Sequence, residues 1–225
     1  NVMTDEFHTD ESVTAPDDIV DVPRTNYSVL RVNRDILHGS SIGLIAINKQ
    51  DADTYNRAGG LDFVYRPLDN LDVRGMWART FEKGMSGKNN AWYFGSSWRS
   101  NVFRMEGSYM DIDENFNPEV GFVRREGIRQ IHAETRYTPQ PHKLGIRQIW
   151  FGPEFDYILN QEGELETGEF TLVNWFEFTG GGWISFQGQR TFERLDEDFE
   201  IREGIFIPIG KYNFNSFRTS ISSSD

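Results

Sequence analysis

Apolar and polar residues alternate along most of this chain, most clearly in two runs that flank residues 113–127. In the first, Phe103, Met105 and Tyr109 alternate with Arg104, Glu106 and Ser108. In the second, Ile131, Ala133, Thr135 and Tyr137 alternate with Gln130, His132, Glu134 and Arg136. A period of two predicts strands with an apolar, aromatic face and a face that carries charges of both signs in mid-strand. In a soluble sheet the polar face meets bulk water. A membrane barrel reverses this, with the apolar face on lipid and the charged face lining a wet lumen.

The same alternation predicts strands over 27–36, 41–48, 59–66, 71–81, 90–99, 102–112, 128–137, 144–157, 167–178, 183–192 and 211–222. Most approach the roughly 9 to 11 residues that a tilted strand needs to cross a bilayer. Soluble sheets average about 5 or 6. Leu61, Phe63 and Tyr65 oppose Asp62 and Arg66; Val73, Trp77 and Phe81 oppose Asp72, Arg74 and Thr80; Trp92, Phe94 and Trp98 oppose Ser97 and Arg99. Trp77, Phe81, Trp92 and Trp98 lie towards run ends, where an aromatic girdle would place them. Arg79 falls on the apolar side of its run, and 41–47 is apolar on both. No helix is predicted.

Connections at 38–40, 69–70, 100–101, 139–143 and 180–182 are tight and rich in Gly, Pro, Asn and Ser. Those between, at 50–58, 82–89, 113–127, 160–166 and 195–210, read as longer and more polar. Such alternation suits an up-and-down meander whose two ends meet different environments. The expected fold is therefore all-β, an antiparallel meander of about 11 to 12 long strands belonging to a larger outer-membrane β-barrel. Residues 1–225 are expected to form one barrel segment, with a strand end and an acidic loop over 1–25 and strands over 26–225, incomplete at both ends.

Composition narrows the classes. Hydrophobic residues make up 37% of the 225, yet 14% are aromatic, which a disordered chain would lack. A net charge of −12 argues against nucleic acid as a partner, because phosphate binding needs clustered Lys and Arg. Without cysteine there are no disulfides, thiol chemistry or Cys-based zinc sites. Asn1 to Phe7 shows no secretory signal, so the chain is expected to be either not exported or a piece of a longer one.

Chemistry-bearing patterns are sparse. Asp111, Asp113 and Asn115 begin like a calcium loop, but Phe116 stands where a Gly is needed and Phe122 where a Glu is needed. His8, His38, His132 and His142 show no metal-binding spacing. No metal and no cofactor are expected. Carboxylate pairs for glycoside hydrolysis could be drawn from Glu106, Glu119, Glu134 and Glu169, but 35 acidic residues make such pairs almost free. No catalytic motif is present. Arg104, Glu106, Glu134 and Arg136 read most simply as a cross-strand charge ladder, with His132 as a lumen-lining polar residue. The sharper alternative is a selectivity or substrate-contact patch in a pore.

The run Asp111-Ile-Asp-Glu-Asn-Phe-Asn-Pro-Glu-Val-Gly-Phe-Val-Arg-Arg125 resembles the D-x-D-x-x-F-N-P-E-V-G-F-V-R-R stretch of an uncharacterised bacterial family. Asn26-Tyr-Ser-Val-Leu-Arg-Val-Asn-Arg-Asp-Ile, Gly39-Ser-Ser-Ile-Gly43 and Gly60-Leu-Asp62 fit it too, and Asn1-Val-Met-Thr-Asp5 resembles the end of an earlier strand. Members of that family join a family-9-like carbohydrate-binding module to a C-terminal outer-membrane β-barrel domain. The resemblance implies a Gram-negative outer membrane, with the lipid bilayer and carbohydrate as partners. It also implies a non-enzymatic barrel that handles or transports extracellular glycans or polymers. Loop residues Asn117, Glu119, Arg124 and Arg125, with Arg104, Glu106, His132, Glu134 and Arg136 in the lumen, would make the contacts. Two rival expectations are part of a carbohydrate-active hydrolase, and a soluble β-sandwich or lipocalin-like ligand-binding domain with its aromatic face buried.

Overall fold

The computed structural model describes Val2–Met3, residues 24–37 and residues 39–224. The acidic stretch 8–23, expected as a solvated loop, lies outside the described residues with His8 and His38. Fourteen strands follow in order: β1 (Val2–Met3), β2 (Asn26–Ile36), β3 (Ser40–Gln50), β4 (Tyr55–Leu68), β5 (Leu71–Glu82), β6 (Asn90–Arg99), β7 (Phe103–Ile112), β8 (Ile128–Tyr137), β9 (Ile146–Asn160), β10 (Leu165–Phe178), β11 (Trp183–Leu195), β12 (Phe199–Arg202), β13 (Ile205–Ile207) and β14 (Gly210–Ser222). Twelve form one antiparallel sheet in the order β1 to β11, then β14. The remaining two, β12 and β13, make a separate hairpin inserted between β11 and β14. The all-β, antiparallel up-and-down meander is therefore present. Each of the eleven predicted runs is a strand, and no helix among the described residues is long and apolar enough to cross a membrane.

Loop lengths depart from the expected alternation. Residues 51–54 and 161–164 are tight turns, because β3, β4, β9 and β10 run further than their apolar cores, whereas 138–145 on the opposite side is longer than either. Two Pro residues there, Pro139 and Pro141, cannot donate to a ladder.

The sheet has no second layer among the described residues. The buried apolar residues are Ala91, Ile112, Phe116 and Ile128, of which the first three form a cluster under one loop and not a core between layers. Trp92 is 54% exposed and Met105 50%, while Phe103 and Phe170 are half-buried. A soluble sandwich would bury all four against another sheet. The sheet is also open, with β1 paired only to β2 and β14 only to β11.

Candidate functional site

Register assigns every side chain to a face. From Leu61↔Trp77, Trp77↔Trp92, Phe94↔Tyr109 and Tyr109↔Ile131, one face runs apolar across β4 to β8. It continues through Ile131↔Tyr157, Phe155↔Phe170, Phe176↔Ile184 and Ile184↔Ile221. Aromatic pairs mark both ends: Trp77 with Trp92 at 5.9 Å, and Trp98 with Phe103 at 6.0 Å. Beyond the first pair the face turns polar, with Arg129 Nε donating to Asp111 Oδ2 at 3.2 Å. Arg79 stands at this same end, donating to Asn89 Oδ1 at 3.2 Å with its guanidinium 5.3 Å from the Phe81 ring. Arg190 and Asn215, facing each other on β11 and β14, interrupt the belt there.

The other face carries most of the ion pairs, and those of β7 and β8 do not form the cross-strand ladder expected. The β7–β8 register sets Arg104 opposite Arg136 and Glu106 opposite Glu134, like charge against like. Attraction runs instead along each strand between residues two apart, which share a face. Arg104 Nη2 donates to Glu106 Oε2 at 2.5 Å, and Arg136 pairs with Glu134. His132 lies between carboxylates, Nδ1 3.4 Å from Asp156 Oδ2 and Nε2 3.9 Å from Glu106 Oε1. Glu106, His132 and Glu134 bring one ligand atom each within 4.8 Å of one another. Both glutamates already accept from guanidinium donors, so the cluster is an ionic network first. A cavity of about 240 Å³ opens here, lined by Asp72, Arg74, Arg99, Arg104, Glu106 and His132 among others.

The loop 113–127 folds over this same face. Phe116 is buried against Ala91 and Ile112, with Ala78, Met110 and Val123 beside it. Asn117 N donates to Thr80 Oγ1 at 3.2 Å, and Asn56 Nδ2 donates to the Asn117 carbonyl at 2.8 Å. Glu119 N donates to Asn56 Oδ1 at 3.3 Å, and Lys49 Nζ reaches Glu119 at 2.5 Å. The loop thus crosses from β7 over β5 and β4 to β3. Asn56 and Thr80, buried on β4 and β5, are the polar anchors that a buried backbone segment requires. Asp113 accepts from Asn90 N at 2.8 Å and Asn115 donates to the Gly87 carbonyl at 3.1 Å, so the calcium-like residues face protein partners. Arg124 is exposed, and Arg125 pairs with Glu166.

A third feature on the charged face is aromatic. Trp150 on β9 sits opposite Trp175 on β10, ring centroids 5.5 Å apart. Trp175 stacks on Trp183 of β11 at 4.0 Å with an interplanar angle of 19°. Beside them a cavity of about 200 Å³ is lined by Glu134, Arg136, Trp150, Gly152, Glu154 and Trp175 among others.

Electrostatics outside the strands follow local hydrogen bonds. Thr54, through its hydroxyl at 2.7 Å and its N–H at 2.6 Å, and Asp53 N–H at 2.8 Å hold the Asp51 carboxyl below its ordinary range. Arg194 at 2.7 Å, with Asn160, does the same for Glu164. The Glu114 carboxylate, 2.9 Å away, raises the Lys88 ammonium.

Compared with family models, curated proteins and solved structures, the chain matches none. Of the residues singled out in sequence, Arg104, Glu106, His132, Glu134 and Arg136 come together on one face. Asn117 and Glu119 are joined to β3, β4 and β5 instead. Sequence reasoning missed Asn56, Thr80 and Phe116 as loop anchors, and Trp150, Trp175 and Trp183 as a cluster. The tryptophans left one signal, since each occupies a polar-phase position in its own run.

Proposed function

We propose that these strands are part of the wall of an outer-membrane β-barrel that handles or admits extracellular glycans, with carbohydrate capture by a module outside this chain. The observation that carries the membrane part is the exposed apolar face. Trp92, Phe94, Met105, Leu61 and Tyr109 are all exposed, and paired aromatics stand towards both ends of that face. Water would disfavour so large an apolar surface, whereas a bilayer fits it, with girdles at the two interfaces. Behind it, Arg31–Asp62, Arg66–Asp72, Arg104–Glu106 and Arg136–Glu134 sit on a face suited to water. In lipid, unpaired strand edges leave backbone groups unsatisfied, so β1 and β14 require further pairing to close the wall. The loop 113–127 narrows the lumen from inside. Glycan handling rests on the sequence resemblance and on the polar cavity lined by Asp72, Arg104, Glu106 and His132.

Single cysteines at Met105 and Ser108 of the full-length protein in outer membranes test this reading. A lipid-dissolved maleimide should label position 105 and a membrane-impermeant one position 108. Labelling of both positions by the water-soluble reagent, in protein that fractionates away from membranes, would reject it.

A further inference from the structure

We propose that Trp150, Trp175, Glu134, Arg136 and Glu154 form a subsite for one pyranose ring of a neutral oligosaccharide, an inference that rests on the charged face being the wet, glycan-handling one. Three indoles on consecutive strands β9, β10 and β11 project from a face whose neighbouring side chains are mainly Glu, Gln, Ser and Thr, with Val173 among them. Lipid does not require them there. Their stack holds the rings rigid, and Trp150 at its β8 end stays 36% exposed beside the 200 Å³ cavity.

The lining selects the ligand. A pyranose presents an apolar face of C–H bonds and a rim of hydroxyls, and so needs an aromatic surface with planar polar groups at its edge. Glu134 and Glu154, opposite each other on β8 and β9, supply acceptors for vicinal hydroxyls, and Arg136 supplies donors in a fork. An organic cation would also like indole and carboxylate, but the Arg136 guanidinium, 5.9 Å from the Trp150 ring centroid, repels a second positive charge and not a neutral sugar. Glu134 and Arg136 cancel in charge and Glu154 adds a negative one, so the cavity gives no advantage to an anionic glycan. Gly152 lies between Trp150 and Glu154 on this face. A Cβ there would collide with the Thr135 carbonyl, so no side chain can fill the space.

The test uses the full-length protein labelled with 5-fluorotryptophan and refolded in micelles. Trp150→Phe and Trp175→Phe assign the fluorine resonances, and heat-modifiable gel mobility checks folding. Maltohexaose and cellohexaose serve as α- and β-linked probes. Saturable movement of the Trp150 resonance with either sugar, with Trp98 on the opposite face unmoved, is expected. Glu154→Gln should weaken that response about tenfold, the scale of one hydrogen bond to a charged group. A Trp150 resonance indifferent to both sugars, or one moved only by tetramethylammonium, overturns the subsite. Because the readout belongs to Trp150, sugar bound by another module does not register. Failure of the same protein to enter bilayers would instead reject the barrel reading.

Discussion

Arg31 on β2 and Asp62 on β4 meet at 2.5 Å across the whole width of β3, directly over Gly43. Neighbouring strands lie about 4.8 Å apart, so the pair spans two strand spacings. It can do so only because β3 offers no side chain at that point. A Cβ on Gly43 would come 2.5 Å from Arg31 Nη2 and 2.7 Å from the Asp62 carboxylate. Both are flexible chain ends, so they part and the backbone stays. A double-mutant cycle of Arg31→Gln and Asp62→Asn, read by urea unfolding in micelles, should give a weak but favourable coupling, as for a solvent-screened pair. In a Gly43→Leu background that coupling should vanish. Equal coupling in both backgrounds would contradict the role given to Gly43.

The two faces should respond oppositely to charge. Met105→Arg puts a guanidinium on the apolar belt and should cost about 2–4 kcal/mol of folding stability in lipid vesicles, as at a bilayer midplane. Ser108→Arg, three residues along on the polar face, should cost less than about 1 kcal/mol. Comparable costs at the two sites would mean that the apolar face is not against lipid.

The loop 113–127 is held by one ring and a few polar groups. Phe116→Ala empties the buried pocket beside Ala91 and Ile112 and should cost about 3 kcal/mol of loop anchoring. Asn56→Ala leaves the Asn117 carbonyl and Glu119 N–H without their partner, at about 1–3 kcal/mol. Both should hasten tryptic cleavage at Arg124 and Arg125 while leaving the heat-modifiable gel mobility of the folded protein unchanged. Cleavage at the wild-type rate would show that the loop is held elsewhere.

The turn at 51–54 should loosen in acid. Asp51 titrates below its ordinary range in the folded chain because Thr54 and Asp53 donate to its charged form. A depressed folded value means that the stabilisation is present above the unfolded carboxylate pKa of about 4 and is lost as pH falls through the folded one. Glu164, held by Arg194, follows the same sign. Lys88, raised by Glu114, follows the opposite sign, contributing below the ordinary lysine value and losing this as pH rises through the raised one. Protection factors for hydrogen exchange at the Asp53 and Thr54 amides should fall below about pH 4, and Asp51→Asn should remove that dependence. An unchanged pH profile in Asp51→Asn would assign the turn's order to other contacts.

Much of this was legible in the chain. Alternation at period two requires only neighbouring residues, so all eleven runs and both faces of β7 and β8 follow from it, as do the apolar positions of Trp77, Trp92 and Trp98. Ends were less legible. Strands β3, β4, β9 and β10 continue through polar residues such as Lys49, Gln50, Asn56 and Arg57, where backbone pairing with a neighbour outweighs weak local preference.

By itself, then, the sequence determined the strands, their antiparallel succession and the two chemically distinct faces, because those depend on local periodicity and short connections. Only the tertiary structure decided which residues sit opposite which. Register set Arg104 against Arg136 and Glu106 against Glu134, turning the expected cross-strand ladder into pairs along each strand. It also brought Trp150, Trp175 and Trp183 from three separate runs into one stack and carried residues 113–127 across to Lys49 and Asn56. Such relationships depend on the sum of all pairings between distant segments, and a period of two carries no record of that sum.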